Sequence, residues 1–109
     1  MNQSLQHLPI QFLADMARVL RVLGHEYRLG IVEFLDLNGA SPVHRIWTAL
    51  GGSQAAASHH LSKMRSAGLL SSERRGQEVW YDIDNPAALT VLNCMRERFN
   101  PEVLGRGES

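Results

Sequence analysis

The chain has 109 residues, 44% apolar and 20% charged, and its eleven basic and eleven acidic side chains balance to zero. That length suits one compact domain spanning 1–109, and the composition fits a folded soluble protein rather than a disordered one. A single cysteine, Cys94, excludes an intrachain disulfide. No apolar run approaches the ~20 residues of a membrane span. The start of the chain lacks the basic, small-residue pattern of a secretory leader, so the expected setting is the cytoplasm with no membrane partner.

A neutral total argues against nucleic acid, but the charge is unevenly placed. Residues 42–80 carry Arg45, Lys63, Arg65, Arg74 and Arg75 against Glu73 and Glu78, a net +3. Residues 1–41 and 81–109 carry −1 and −2. The middle of the chain is therefore the basic part.

In chain order, Phe12, Leu13, Met16, Val19, Leu20 and Leu23 recur at three- and four-residue spacings, which predicts an amphipathic helix over 8–23. Gly24 is expected to end it in a positive-φ conformation. A second helix over about 26–37 has Tyr27, Leu29, Ile31, Val32, Phe34 and Leu35 on more than one face, as a central buried element would, and Gly39 closes it. "SPVHRIWTAL" predicts a third helix with Ser41 as N-cap and Pro42 in its first position. "GG" at 51–52 turns the chain, and Ser53 caps a fourth helix that Gly68 stops after Ala67. Two short helices joined by a glycine turn form the helix-turn-helix pattern. "LLSSERRGQEVWYDI" then alternates as a β-hairpin with its turn near Arg75-Gly76-Gln77. Asn85 and Pro86 open a last helix with the stripe Ala88, Leu92, Met95 and Phe99. The ordered core is expected over about 8–99, with a frayed tail over 100–109.

The expected fold is thus mostly α with a small β-hairpin, a winged helix-turn-helix in the order helix, helix, helix-turn-helix, hairpin, helix. The first and last helices carry more apolar surface than so small a monomer needs, which points to a homodimer through both. A monomer whose terminal helices pack on each other is the alternative.

Helical phase assigns the fourth helix its faces. At about 100° per residue, Leu61 and Met64 fall beside Ala57 and set the buried direction. His60 lands at the edge of that sector, and His59 lands almost opposite. The outer, small and polar face holds Gln54, Ala55, Ser58, His59 and Ser62. Such a face suits a major groove about 12 Å wide: glutamine pairs with adenine, serine donates or accepts, alanine lies against a thymine methyl. Lys63 and the helix N-terminus at Ser53 suit phosphates. Arg74 and Arg75 at the hairpin tip suit the backbone or a minor groove. The candidate DNA-binding elements are therefore the helix 53–67 and the wing 71–83.

Three segments, "LGHEYRLGIVEFL", "SQAAASHHLSKMRSAGLL" and "RRGQEVWYDI", resemble the ArsR/SmtB family of small bacterial winged-helix repressors over about residues 12–99. The resemblance implies a DNA-reading dimer, with Gln54, Ser58 and His59 on DNA-contacting positions. Ala55 departs from the serine common there, and Trp80 replaces a tyrosine of the second wing strand, a packing change. Members release DNA when an inducer binds, yet the familiar sensor residues are missing. Asn85, Ala87 and Arg98 stand where the zinc ligands of the last helix would be. Pro42-Val43-His44 stands where paired cysteines would hold arsenic or cadmium, and one cysteine cannot serve the two-cysteine sulfide sensors.

No cofactor is predicted and no metal site is assigned. His7, His25, His44, His59 and His60 could form one only by convergence in space, and adjacent histidines on a helix diverge. His44 is expected to be solvated or to contact phosphate. Cys94 is expected to be a buried small hydrophobe, with a disulfide across a dimer axis as the sharper possibility. No catalytic set of nucleophile, base and acid occurs, so an enzyme is not expected. The alternatives to a DNA-binding regulator are a winged helix serving only protein–protein contact and a thiol-responsive regulator acting through Cys94. The inducer is not identified.

Overall fold

The structure is a computed structural model, and it describes residues 7–99; the tail expected to fray lies outside them. Five helices and three strands follow one another as α1 (Ile10–Leu23), α2 (Glu26–Asn38), β1 (Ser41–Pro42), α3 (Val43–Leu50), α4 (Gln54–Ser66), β2 (Leu70–Arg75), β3 (Glu78–Ile83) and α5 (Pro86–Arg98). The winged helix-turn-helix expected from the sequence is present.

Helix α2 is the hub. Ile31, Val32 and Leu35 are 0–1% exposed, and the helix packs against α1, α3, α4, α5 and β3. Its several apolar faces are what such a central position requires. Only the C-terminal half of α1 docks: Val19 and Leu23 are buried, while Phe12, Leu13 and Leu20 face outward. In α5, Ala88 and Leu92 are buried and Met95 and Phe99 are exposed. The terminal helices do touch each other, yet their apolar stripes outrun that contact.

Three local expectations are corrected. Gly24 has φ −75°, so α1 ends without a left-handed residue; a Cβ there would approach the Leu20 carbonyl oxygen at 3.3 Å. Ser41 and Pro42 do not start α3. They form a short third strand paired with Tyr81 and Trp80, giving an antiparallel sheet of order β1-β3-β2. Proline is tolerated there because β1 is an edge strand, and Ser41, fully buried, donates Oγ–H to the Gly39 carbonyl at 2.9 Å. Helix α3 therefore begins at Val43. Cys94 is exposed rather than buried, because α5 turns Ala88 and Leu92 inward and Cys94 lies two residues past Leu92, roughly 200° around the helix.

Candidate nucleic-acid interface

The cap and the turn that launch α4 are well fixed. Ser53 Oγ accepts the Ala56 N–H at 3.1 Å, satisfying one of the free donors of the first turn. Gly51 and Gly52 hold φ of 92° and 79°, a left-handed pair that lets α4 leave α3 in so short a turn. The Tyr27 hydroxyl donates to the Gly51 carbonyl at 2.8 Å, so α2 grips the turn from behind. No acid lies in the first turn of α4, and its amide dipoles therefore face solvent as an unneutralised positive end.

Along α4 the faces divide as the helical phase requires. Ala57, Leu61 and Met64 are buried. Ser53, Gln54, Ala55, His59, Ser62 and Lys63 are exposed and Ser58 is half-buried. His60, next in sequence to His59, is half-buried on the flank toward α2. It accepts an N–H from Arg28 at its Nδ1. The proposed reading face is thus a continuous strip of small polar groups with nothing bulky standing over it.

The wing pairs Arg75 with Glu78, Arg74 with Val79 and Glu73 with Trp80, and turns at Gly76 with φ 66°. Both tip arginines are exposed, but they are held differently. The Arg75 guanidinium lies 4.3 Å over the Trp80 ring and donates to Glu73 Oε1 at 3.4 Å. A planar guanidinium stacked on an indole is restrained in direction while keeping its charge. Among the described residues Arg74 makes no ion pair, so its side chain is the freer of the two. Strand β2 packs on α4, which places helix and wing on one rigid unit.

His44 is exposed, as expected of a solvated residue. Its Nδ1 also lies 3.1 Å from Glu78 Oε2, a link from α3 to the tip of the wing that periodicity cannot predict, because the two residues are far apart in the chain. His25, on no list of cap formers, accepts the Tyr27 N–H at Nδ1 and so caps α2. Its ring also lies 4.4 Å from that of His60. Three histidines, His25, His59 and His60, do converge, but as tilted and edge-on rings. Among the described residues no three His, Cys, Asp or Glu side chains are grouped as metal ligands. Cys94 stands on α5, which packs against α1 and α2.

Comparison with known proteins places this arrangement. A family model described as bacterial regulatory protein, arsR family, matches residues 25–72, from the cap of α2 into β2. The transcriptional repressor PagR of Bacillus anthracis is 39% identical over 83 residues, 76% of this chain and 83% of its own. Its crystal structure superposes with a TM-score of 0.72 at 33% identity, covering 80% of this chain and 99% of that one. The HTH-type transcriptional regulator NmtR of Mycobacterium tuberculosis is 34% identical over 92 residues, 84% of this chain and 76% of its own.

Proposed function

Because this chain belongs to the arsR family of bacterial regulatory proteins, we propose that it acts as a homodimeric transcriptional repressor that reads operator DNA with α4 and its wing. The observation that carries this reading is the complete division of α4 into a buried apolar side and a slim polar side. Entering the major groove, Gln54, Ser58, His59 and Ser62 meet base edges and Ala55 meets a thymine methyl. Ser53 with the N-terminal amides, and Lys63, take phosphates. Arg74 and Arg75 reach the flanking backbone or minor groove.

A second copy completes the site. Phe12, Leu13 and Leu20 of α1 and Met95 and Phe99 of α5 are exposed apolar groups, too many to leave in water on a small protein. A groove of about 420 Å³ between α2 and α5 adjoins that surface, with Leu29, Leu92, Met95 and Phe99 lining it beside the charged Glu26, Glu33 and Arg96. Burying these helices across a two-fold axis yields an isologous dimer whose two α4 helices address half-sites about 34 Å apart. No helix of the described residues is long and apolar enough to cross a membrane; we place the dimer in the cytoplasm, with no catalytic role and no resident cofactor.

The test is an anisotropy titration with a labelled duplex from the promoter of the gene that encodes this chain, against a random duplex of equal length. Specific binding tighter by about 10³ or more, weakening steeply with added salt, is expected. Equal affinity for both duplexes contradicts the reading and favours a protein–protein module.

A further inference from the structure

The flank of α4 turned toward α2 carries a group of side chains that groove reading does not use. Arg28 donates Nε–H to His60 Nδ1 at 3.1 Å and Nη1–H to the Val22 carbonyl at 3.1 Å. One guanidinium therefore ties the end of α1 and the start of α2 to the middle of α4. The Tyr27 ring stacks on the His60 imidazole at 5.1 Å, while its hydroxyl holds the turn that precedes α4. The DNA-facing His59 lies edge-on to the same imidazole at 6.0 Å. A shift of His60 cannot leave His59 where it was, since the two are consecutive on one helix.

An Nδ1 that accepts from Arg28 carries no proton, so His60 is held as the neutral tautomer with its hydrogen on Nε2. A second proton would turn Nδ1 into a donor pointed at a guanidinium, and the bond would be lost. The titratable groups facing His60 are His25, Tyr27 and Arg28 from the start of α2 and His59 from α4. Each is neutral or cationic, so none of them offsets an added charge. Burial first, and then the charges of His25, Arg28 and His59, hold the imidazole below its ordinary value of 6.5. His25 spends its own Nδ1 capping α2.

We propose that Arg28 is a positioning residue for DNA recognition: through a neutral His60 it fixes α4 against α2, and the reading face is presented in binding geometry only while that bond lasts. The proposal rests on α4 being the DNA-reading helix. Its sign follows from linkage. A depressed value in the fold means that the unfolded chain binds the proton more readily. The stabilisation is therefore complete above about pH 6.5 and is lost as the pH falls below it toward the folded value.

The experiment titrates the labelled promoter duplex at about pH 7.5 and about pH 5.5, either side of the histidine range, at fixed ionic strength, and records thermal midpoints in the same buffers. It compares the native chain with Arg28→Gln, His60→Gln and the double variant. The glutamine amide oxygen still accepts from Arg28 but does not titrate. At the higher pH Arg28→Gln is expected to weaken binding about tenfold, and the double variant to be no weaker than Arg28→Gln alone. Acidification should weaken the native chain more than His60→Gln by about fivefold; every other ionisable side chain is common to the two chains, so the difference reads position 60 alone. Should His60→Gln fail to fold, Arg28→Gln serves instead, because its midpoint should fall less on acidification than that of the native chain. Equal acid responses in native and variant chains overturn the positioning role. Absence of native binding at both pH values overturns the DNA reading itself, and the positioning role with it.

Discussion

Along α4 the apolar side chains Ala57, Leu61 and Met64 are 0% exposed, whereas along α1 Phe12, Leu13 and Leu20 stand 48%, 44% and 50% exposed. Both helices are amphipathic, and both begin from a stripe read easily in the sequence. Helix α4 is finished inside one chain: its large apolar groups have partners, and its remaining face is free to be polar and thin. The terminal helices are unfinished. Each large apolar group left in water forfeits roughly 1.5–3 kcal/mol of burial, and a second copy of the chain is the simplest way to recover it. One surface is thus slim and polar, and the other is an apolar face without cover in the single chain.

The comparison breaks most visibly at the finished helix. Leu61→Ala should cost about 2–5 kcal/mol of stability, because a fully buried side chain leaves a cavity the neighbours fill only partly; a urea transition measured at fixed protein concentration reads it. A cost under about 1 kcal/mol would mean that Leu61 is not sealed as described. At the unfinished surface, Leu20→Glu should leave the protomer folded but weaken self-association by roughly 2 kcal/mol or more. Sedimentation equilibrium should then find monomer at a concentration where the proposed native dimer persists. Native chain that is monomeric at the same concentration would remove the terminal helices from the account. The smallest effect is at the wing. Arg74→Ala should lower duplex affinity nearly uniformly across sequences and reduce the salt slope by about 1. An unchanged slope would show that the freer of the two tip arginines meets no phosphate.

How much of this was legible in the sequence depended on range. The phase of α4 was legible because Ala57, Leu61 and Met64 contrast sharply with Ser58, His59 and Ser62, and one register satisfies all of them. The split between His59 and His60 came from that phase alone. Ser41 and Pro42 were misread because a two-residue strand has no alternation to reveal it, and Ser-Pro is a good imitation of a helix start. The capping role of His25 was hidden because histidine is not a usual cap. The bonds from Arg28 to His60 and from His44 to Glu78 join residues 32 and 34 positions apart; periodicity reports faces, not the partners that meet them. Cys94 was placed inside on the habits of its residue type, where the phase of α5 from Leu92 would have put it outside.

The central claim is that the outward face of α4 reads bases, and His59→Ala tests it most directly. The quantity is the ratio of affinities for the promoter duplex and a random duplex, measured beside the thermal midpoint. That ratio should fall by about 1–3 kcal/mol in free-energy terms while stability stays within about 0.5 kcal/mol of native. An unchanged ratio, or a loss of stability with specificity intact, would contradict the assignment of that face to DNA.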